Sequence, residues 1–214
     1  MHLVDDDASV RKAIGRLLRA AGYEVAIYES AHHFLARLPD KNQLGCILLD
    51  LKMPELNGRG LQKRLIKMRS ILPIIFLTAY GDIQTAVLAI KAGAEEFLTK
   101  PVSKDVLLGA IERALARHRQ IISETRQIDT LQGLVDALTP REREVFNLVV
   151  RGKMNKQIAR QLGTTERTIK AHRQRVMAKV GVQSVAELAS VAARLGILNQ
   201  DDPAAQKNSE SKVR

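Results

Sequence analysis

The stretch Gly45-Cys46-Ile47-Leu48-Leu49-Asp50-Leu51-Lys52-Met53-Pro54 decides the fold. Its first half is an unbroken apolar run, the mark of a β-strand buried on both faces. The run stops at a single carboxylate, Asp50. A second run of the same kind, Pro73-Ile74-Ile75-Phe76-Leu77, ends at Thr78. Strands buried on both faces need helices on both sides, and the intervening segments offer them. Ser9–Ala21 carries Val10, Ala13, Ile14, Leu17 and Leu18 at three-four spacing and is closed by Gly22. Ala31–Leu38, Gly58–Met68, Asp82–Ala92 and the segment from Lys104 also read as helices. His2-Leu3-Val4, Glu24–Ile27 and Glu96-Phe97-Leu98 read as shorter strands. Five strands alternating with five helices predict an α/β domain with a parallel sheet covered on both faces.

The rest of the chain is helical. From Val102 to Gln132 there is no proline, and only Gly109 interrupts. One long connector helix is predicted, the alternative being a break near His118. A four-helix block follows: Pro140–Arg151, Asn155–Leu162, Thr165–Val180 and Ser184–Leu195, closed by Gly152, Gly163, Gly181 and Gly196. Thr139, Pro140 and Glu142 form a capping-box signature at its start. The polar segment Asn199–Arg214 has nothing to bury and is predicted to be disordered. The domains are therefore expected at 1–118, with a linker at 119–136, a helical domain at 137–198 and a tail at 199–214.

Composition narrows the function. The chain has 214 residues, 45% apolar and 27% charged, enough for packed cores and unlike a disordered chain. No apolar run is long enough to span a bilayer, so no membrane role is expected. The N-terminus turns acidic at Asp5 and does not read as a signal peptide. One cysteine excludes an internal disulfide framework and a multi-Cys zinc site. A cytoplasmic protein is the expectation. The 34 Lys+Arg against 23 Asp+Glu, net +11, point to a polyanion. Residues 137–180 hold 11 basic and 3 acidic side chains, so nucleic-acid binding is expected there. With 3% aromatics and no Trp, base stacking on single strands is disfavoured.

In an open parallel sheet, ligands sit at the carboxyl ends of the strands. Here those ends carry Asp5-Asp6-Asp7, Asp50, Thr78 and Thr99-Lys100-Pro101. A strand order of 2-1-3-4-5 would bring the first two groups together. Converging carboxylates need a cation, and Mg2+ suits a few carboxylates plus water in phosphoryl chemistry. A lysine and a hydroxyl would bind phosphate oxygens. One aspartate would then be a phosphoryl acceptor. Singly, an Asp at a strand end is usually a helix cap, and Asp7 reads as one.

Four segments, Val4–Asp7, Leu48–Pro54, Phe76–Ala79 and Phe97–Pro101, together resemble the receiver domain of two-component response regulators over residues 1–120. The resemblance supplies the flavodoxin-like, doubly wound sheet order 2-1-3-4-5. It implies that Asp50 is the phosphoacceptor and that Asp5, Asp6, Asp50 and the Lys52 carbonyl hold Mg2+, Asp6 the more direct ligand of the acid pair. It further implies that Thr78 and Lys100 bind the phosphoryl oxygens and that Phe97 is the switch aromatic. By the same resemblance Lys100–Pro101 is expected cis, and Lys52 and Tyr80 are expected where the aspartyl-phosphate lifetime is tuned. The chain departs from the family in having only Met1–Val4 before the acid pair, so a clipped first strand, or a start upstream, is expected.

In the helical block, Asn155–Leu162, the turn Gly163-Thr164-Thr165 and the helix to Val180 make a helix-turn-helix. Ile169, Val176 and Val180 are its buried side. Lys170, Ala171 and Gln174 then project outward, where Lys and Gln reach base edges and Ala meets a thymine methyl. Arg173, Arg175 and Lys179 suit phosphates, as do Lys156 and the helix start at Thr165. Leu138–Val145, Asn155–Ala159, Thr168–His172 and Lys179–Val182 resemble the LuxR/GerE DNA-binding domain, which brings Thr168 into the candidate interface. The two resemblances together identify a response regulator of the NarL/FixJ class, nearest its FixJ-like branch. They imply a sensor histidine kinase and double-stranded DNA as partners and homodimerisation on phosphorylation, with helix 184–195 pairing with its copy. RNA polymerase is a further expected contact. Such a protein catalyses only its own phosphorylation and dephosphorylation. Two rival readings are a ligand-sensing or phosphorylation-independent LuxR-type regulator and a Mg2+-dependent phosphohydrolase. The first leaves the acid pair, Asp50 and Lys100 idle. The second lacks a cap segment and leaves the DNA-binding block unexplained.

Overall fold

The computed structural model describes residues 1–40, 42–79 and 82–199. The chain divides into two compact units, Met1–Ser123 and Glu124–Arg214. Tyr80 and the tail beyond Asn199 lie outside the described residues.

The first unit is a five-stranded parallel sheet of order β2-β1-β3-β4-β5. Its strands are β1 (His2–Val4), β2 (Ala26–Tyr28), β3 (Ile47–Leu49), β4 (Ile74–Thr78) and β5 (Glu96–Thr99). Alternating with them are α1 (Ala8–Ala20), α2 (Ala31–Leu35), α3 (Gly58–Lys67), α4 (Ile83–Lys91) and α5 (Lys104–Asp136). Every residue of β1, β3 and β4 is buried. That is why those strands read as continuous apolar runs. One core holds Phe34, Leu49, Leu61, Leu65 and Phe76. The other holds Leu18, Leu48, Ile75, Leu107 and Ile111. Although β1 has only three residues, all three pair with both β2 and β3. The terminal ammonium of Met1 adds a hydrogen bond to the Glu24 carbonyl at 2.7 Å.

Several boundaries differ from expectation, most by one residue; the third strand begins at Ile47 rather than Gly45. The second helix ends at Leu35, not Leu38. Pro39 disfavours helical backbone at Leu38, and the helix closes a turn earlier at Ala36. The second strand lies two residues later at its start, because its register is set by pairing with β1.

The long helix is continuous. It spans Lys104–Asp136 without a break at His118. Its last turns are more than a connector, since Leu131 and Val135 pack into the core of the second unit. The second unit continues with α6 (Pro140–Val150), α7 (Asn155–Gln161), α8 (Glu166–Val180) and α9 (Val185–Arg194). Its core gathers Phe146, Ile158, Ile169, Val176 and Leu188. The capping box at α6 is present, with the Glu142 amide donating to Thr139 Oγ1 and the Thr139 amide to Glu142 Oε2 at 2.9 Å. Among the described residues no single helix is long and apolar enough to cross a membrane.

One glycine matters directly to the strand ends. A Cβ on Gly58 would lie 2.3 Å from the Asp50 carbonyl oxygen and 3.0 Å from the Phe76 ring. The start of α3 therefore packs against the backbone of Asp50, and only glycine permits that approach. Gly58→Ala should cost about 1–3 kcal/mol by overpacking. Chemical denaturation of the two proteins checks this; equal midpoints and slopes would show that the loop relaxes freely.

Candidate functional site

The carboxyl ends of β1, β3, β4 and β5 meet in one cleft. Lys100, just after β5, reaches back across it. Its ammonium is 2.6 Å from Asp5 Oδ2 and 3.1 Å from Asp50 Oδ1. Both acids are almost wholly buried, Asp5 at 2% exposure and Asp50 at 7%. Each carboxylate is also held by a backbone amide, Asp5 Oδ1 by Asp7 at 2.9 Å and Asp50 Oδ2 by Lys52 at 2.8 Å. Arg11 donates to the Asp5 carbonyl oxygen at 2.8 Å. The Lys100 amide donates to the Thr78 carbonyl oxygen at 2.8 Å, and the Lys100–Pro101 bond is cis. Thr78 itself is fully buried.

Burial pushes the Asp50 carboxyl above the usual carboxylate range; hydrogen bonding to Lys100 opposes this, and the Asp5 charge adds to it. Burial would lower the Lys100 ammonium, but its hydrogen bonds to Asp5 and Asp50 outweigh that and raise it. The lysine thus stays charged and is the cation that lets two buried acids stand together.

The remaining residues are placed less centrally. Asp6 is exposed. Among the described residues no three His, Cys, Asp or Glu side chains form a group that could hold a metal. Asp7 caps α1, accepting from the Ser9 and Val10 amides, and these bonds lower its carboxyl. Phe97 is half-buried, with its ring centroid 5.9 Å from that of Phe76. The cleft still fits a hard cation. Asp5 and Asp50 offer buried oxygen donors, and Mg2+ commonly uses one or two carboxylates with water.

The second unit presents the helix-turn-helix. Gly163 turns the chain between α7 and α8 at φ +62, a left-handed conformation that glycine adopts without strain. Thr165 caps α8, and its Oγ1 lies 2.9 Å from Thr168 Oγ1. Lys156, Lys170, Ala171, Gln174 and Arg175 are exposed. A concavity of about 690 Å³ is lined by Lys170, Arg173, Gln174, Met177 and Val182. Arg173 and Lys179 also have partners inside the unit. Arg173 donates to Asn155 Oδ1 at 2.6 Å. Lys179 lies 2.7 Å from Glu142 Oε2, tying α8 to the cap of α6. Sequence reasoning missed both ties, since they join residues far apart in the chain.

Comparison with known proteins decides between the readings. The response regulator receiver domain family matches residues 1–112. The family described as bacterial regulatory proteins, luxR family, matches residues 136–192. The chain belongs to the NarL/FixJ class of response regulators. It is 37% identical over 199 residues to the transcriptional regulatory protein FixJ of Bradyrhizobium diazoefficiens, covering 93% of this chain and 97% of that one. It is 42% identical over 197 residues to the response regulator protein TmoT of Ectopseudomonas mendocina, covering 91% and 88%. The solved structure of the response regulator StyR matches with a TM-score of 0.80 at 43% identity, covering 90% of this chain and 97% of that one. This regulator therefore joins a receiver to a LuxR-type DNA-binding domain and acts in two-component transcription control. Its receiver implies a histidine kinase partner, and its second domain implies DNA binding. Receiver domains typically bind Mg2+ at their phosphorylation site.

Glu142 yields a pH prediction. The hydrogen bond from Lys179, then that from the Thr139 amide, lowers its carboxyl to about 2 from 4.5. A depressed carboxylate stabilises the fold above its unfolded value and loses that contribution as pH falls through its folded one. Glu142→Gln should therefore lower thermal stability near neutral pH. The gap between the two proteins should close from about pH 4.5 down to about 2. Melting curves across that range check it; a constant gap would mean that the ion pair contributes nothing.

Proposed function

We propose that Asp50 accepts a phosphoryl group from the phosphohistidine of a sensor kinase, and that the change this makes around Lys100 is the signal. The single observation that supports this reading is the Lys100 ammonium shared by Asp5 and Asp50. An Asp50 oxygen attacks phosphorus, and the bond from phosphorus to the histidine nitrogen breaks. Asp5, Asp50 and the Lys52 carbonyl, joined by Asp6 turning inward, would hold Mg2+, which would supply positive charge against the charge developing on the transferring group. Lys100 keeps Asp5 and turns its remaining donors to a phosphoryl oxygen. The Thr78 hydroxyl moves to another, and Phe97 fills the space that Thr78 vacates. The protein is no general enzyme, turning over only its own aspartyl phosphate, with Lys52 and Tyr80 tuning its lifetime.

The output is homodimerisation and duplex binding. On α4 and the start of α5, Ile83, Val87, Leu88, Ile90 and Val106 are exposed, Ile83 at 85%. An apolar surface of that kind suits a second copy. In the DNA-binding domain Lys170, Ala171 and Gln174 face bases. Lys156, Thr165, Thr168 and Arg175 face phosphates, with Arg173 and Lys179 at the edge of that set. Residues 1–118 act as the phosphoacceptor unit and 137–198 as the DNA-binding unit, joined through 119–136, with α9 pairing in the dimer. The protein works in the cytoplasm, where an RNA polymerase contact is open to it.

Radiolabel transfer from a small phosphodonor tests the acceptor. Wild type should incorporate label with Mg2+ present, and Asp50→Asn should lose at least nine-tenths of it (about 1.4 kcal/mol corresponds to tenfold). Equal labelling of both proteins would remove the acceptor. For the duplex, Lys170→Ala should weaken operator binding by about 1–3 kcal/mol while phosphorylation persists. A gel shift with unchanged affinity would defeat that assignment.

A further inference from the structure

The first unit carries a net positive charge, and one stretch of it holds cations without acids. Residues 1–120 hold 18 Lys+Arg and 13 Asp+Glu. Five of those cations, Arg59, Lys63, Arg64, Lys67 and Arg69, fall on α3 and the turn behind it. No acid occurs from Leu56 to Gly81. Without these five the first 120 residues would be neutral.

Their placement is regular. α3 buries Gly58, Leu61, Gln62 and Leu65. Arg59, Lys63 and Lys67 stack four residues apart on the opposite side. Lys63, Arg64, Lys67 and Arg69 are exposed, and Arg59 is half-buried. The ion pairs among the described residues include none of the five. Helix chemistry accounts for only part of the stripe, since Arg64 and Lys67 lie in the last turn. Cations are favoured in a last turn, but Arg59 lies in the first turn, which holds no acid. Stacked like charges also repel and weaken the helix that carries them. α1 differs: its cations follow Asp5–Asp7, and Arg11 donates to the Asp5 carbonyl oxygen.

We propose that α3 is a second DNA contact, a stripe that meets duplex phosphates in addition to α8. The proposal rests on the regulator binding duplex DNA through its LuxR-type domain. A rise of about 1.5 Å per residue spaces the three stacked cations about 6 Å apart. Alternate phosphates of one strand are about 7 Å apart along the axis. Tethering to a domain that already holds the duplex raises the effective concentration of DNA at α3. Exposed Ile66 and Met68 beside the stripe suit an acidic amphipathic peptide instead, and the test separates the two.

The full-length protein, wild type and Arg59→Gln/Lys63→Gln/Lys67→Gln, is titrated onto a long random-sequence duplex across a salt series, with fluorescence anisotropy as readout. Each lost phosphate contact lowers the slope of log affinity against log salt by about 0.9. The triple variant should lose about 2–3 of slope and bind at least roughly tenfold more weakly at low salt. Arg59→Lys/Lys63→Arg/Lys67→Arg, which keeps the charge, should restore both. If the triple variant does not fold, Lys63→Gln alone should still lose about 0.9. An unchanged slope in folded protein overturns the proposal, as does a variant that loses affinity for poly-glutamate but not for DNA. A wild type that binds no duplex at all overturns the DNA-binding reading along with it.

Discussion

Two carboxylates are buried side by side at the strand ends, and one ammonium holds them there. Asp5 and Asp50 share Lys100 at 2.6 and 3.1 Å. Without it, two acids with so little access to water would face each other with no cation between them. The rest of the receiver domain serves this contact. β1 and β3 are neighbours, which brings Asp5 beside Asp50. β5 is at the sheet edge, and the lysine that follows it spans the distance back. Gly58 lets the next helix seat directly against the Asp50 backbone.

The same contact explains how a small chemical event becomes a large one. Lys100 has three N–H donors, and two are engaged by acids in this state. A phosphoryl group on Asp50 would compete for one of them. Lys100 is covalently adjacent to the end of β5, and its amide is bonded to the end of β4. Any shift of the lysine is therefore felt by the strands that carry Thr78 and Phe97. On the proposed reading, this strand pair with its aromatic side chain would be the bistable element, biased by one added charge.

Much of this was legible in the residues. The runs Cys46–Leu49 and Ile74–Leu77 are apolar because both faces of the central strands are covered. The capping box at Thr139 is local, so sequence spacing predicts it. What was illegible is long-range. The second strand takes its limits from pairing with β1, and nothing in Glu24–Ile27 alone says so. The resemblance ranks Asp6 as the more direct ligand of the acid pair, yet side chains alternate in direction along a strand and its exit, and it is Asp5 that is buried and Asp6 that is exposed. In the sequence Lys179 reads as a phosphate-contacting cation on an exposed helix. Its partner Glu142 is 37 residues away, and only the folded unit reveals that the cap of α6 and the end of α8 share a charge.

Lys100 is shared by Asp5 and Asp50, and on the proposed reading it gives up Asp50 when the acceptor is charged. A crystal structure with Mg2+ and beryllofluoride measures this directly. Beryllofluoride should sit on an Asp50 oxygen, with the Lys100 ammonium on a fluoride while still contacting Asp5. An empty cleft, or a lysine still bridging both acids beside a bound beryllofluoride, would contradict it.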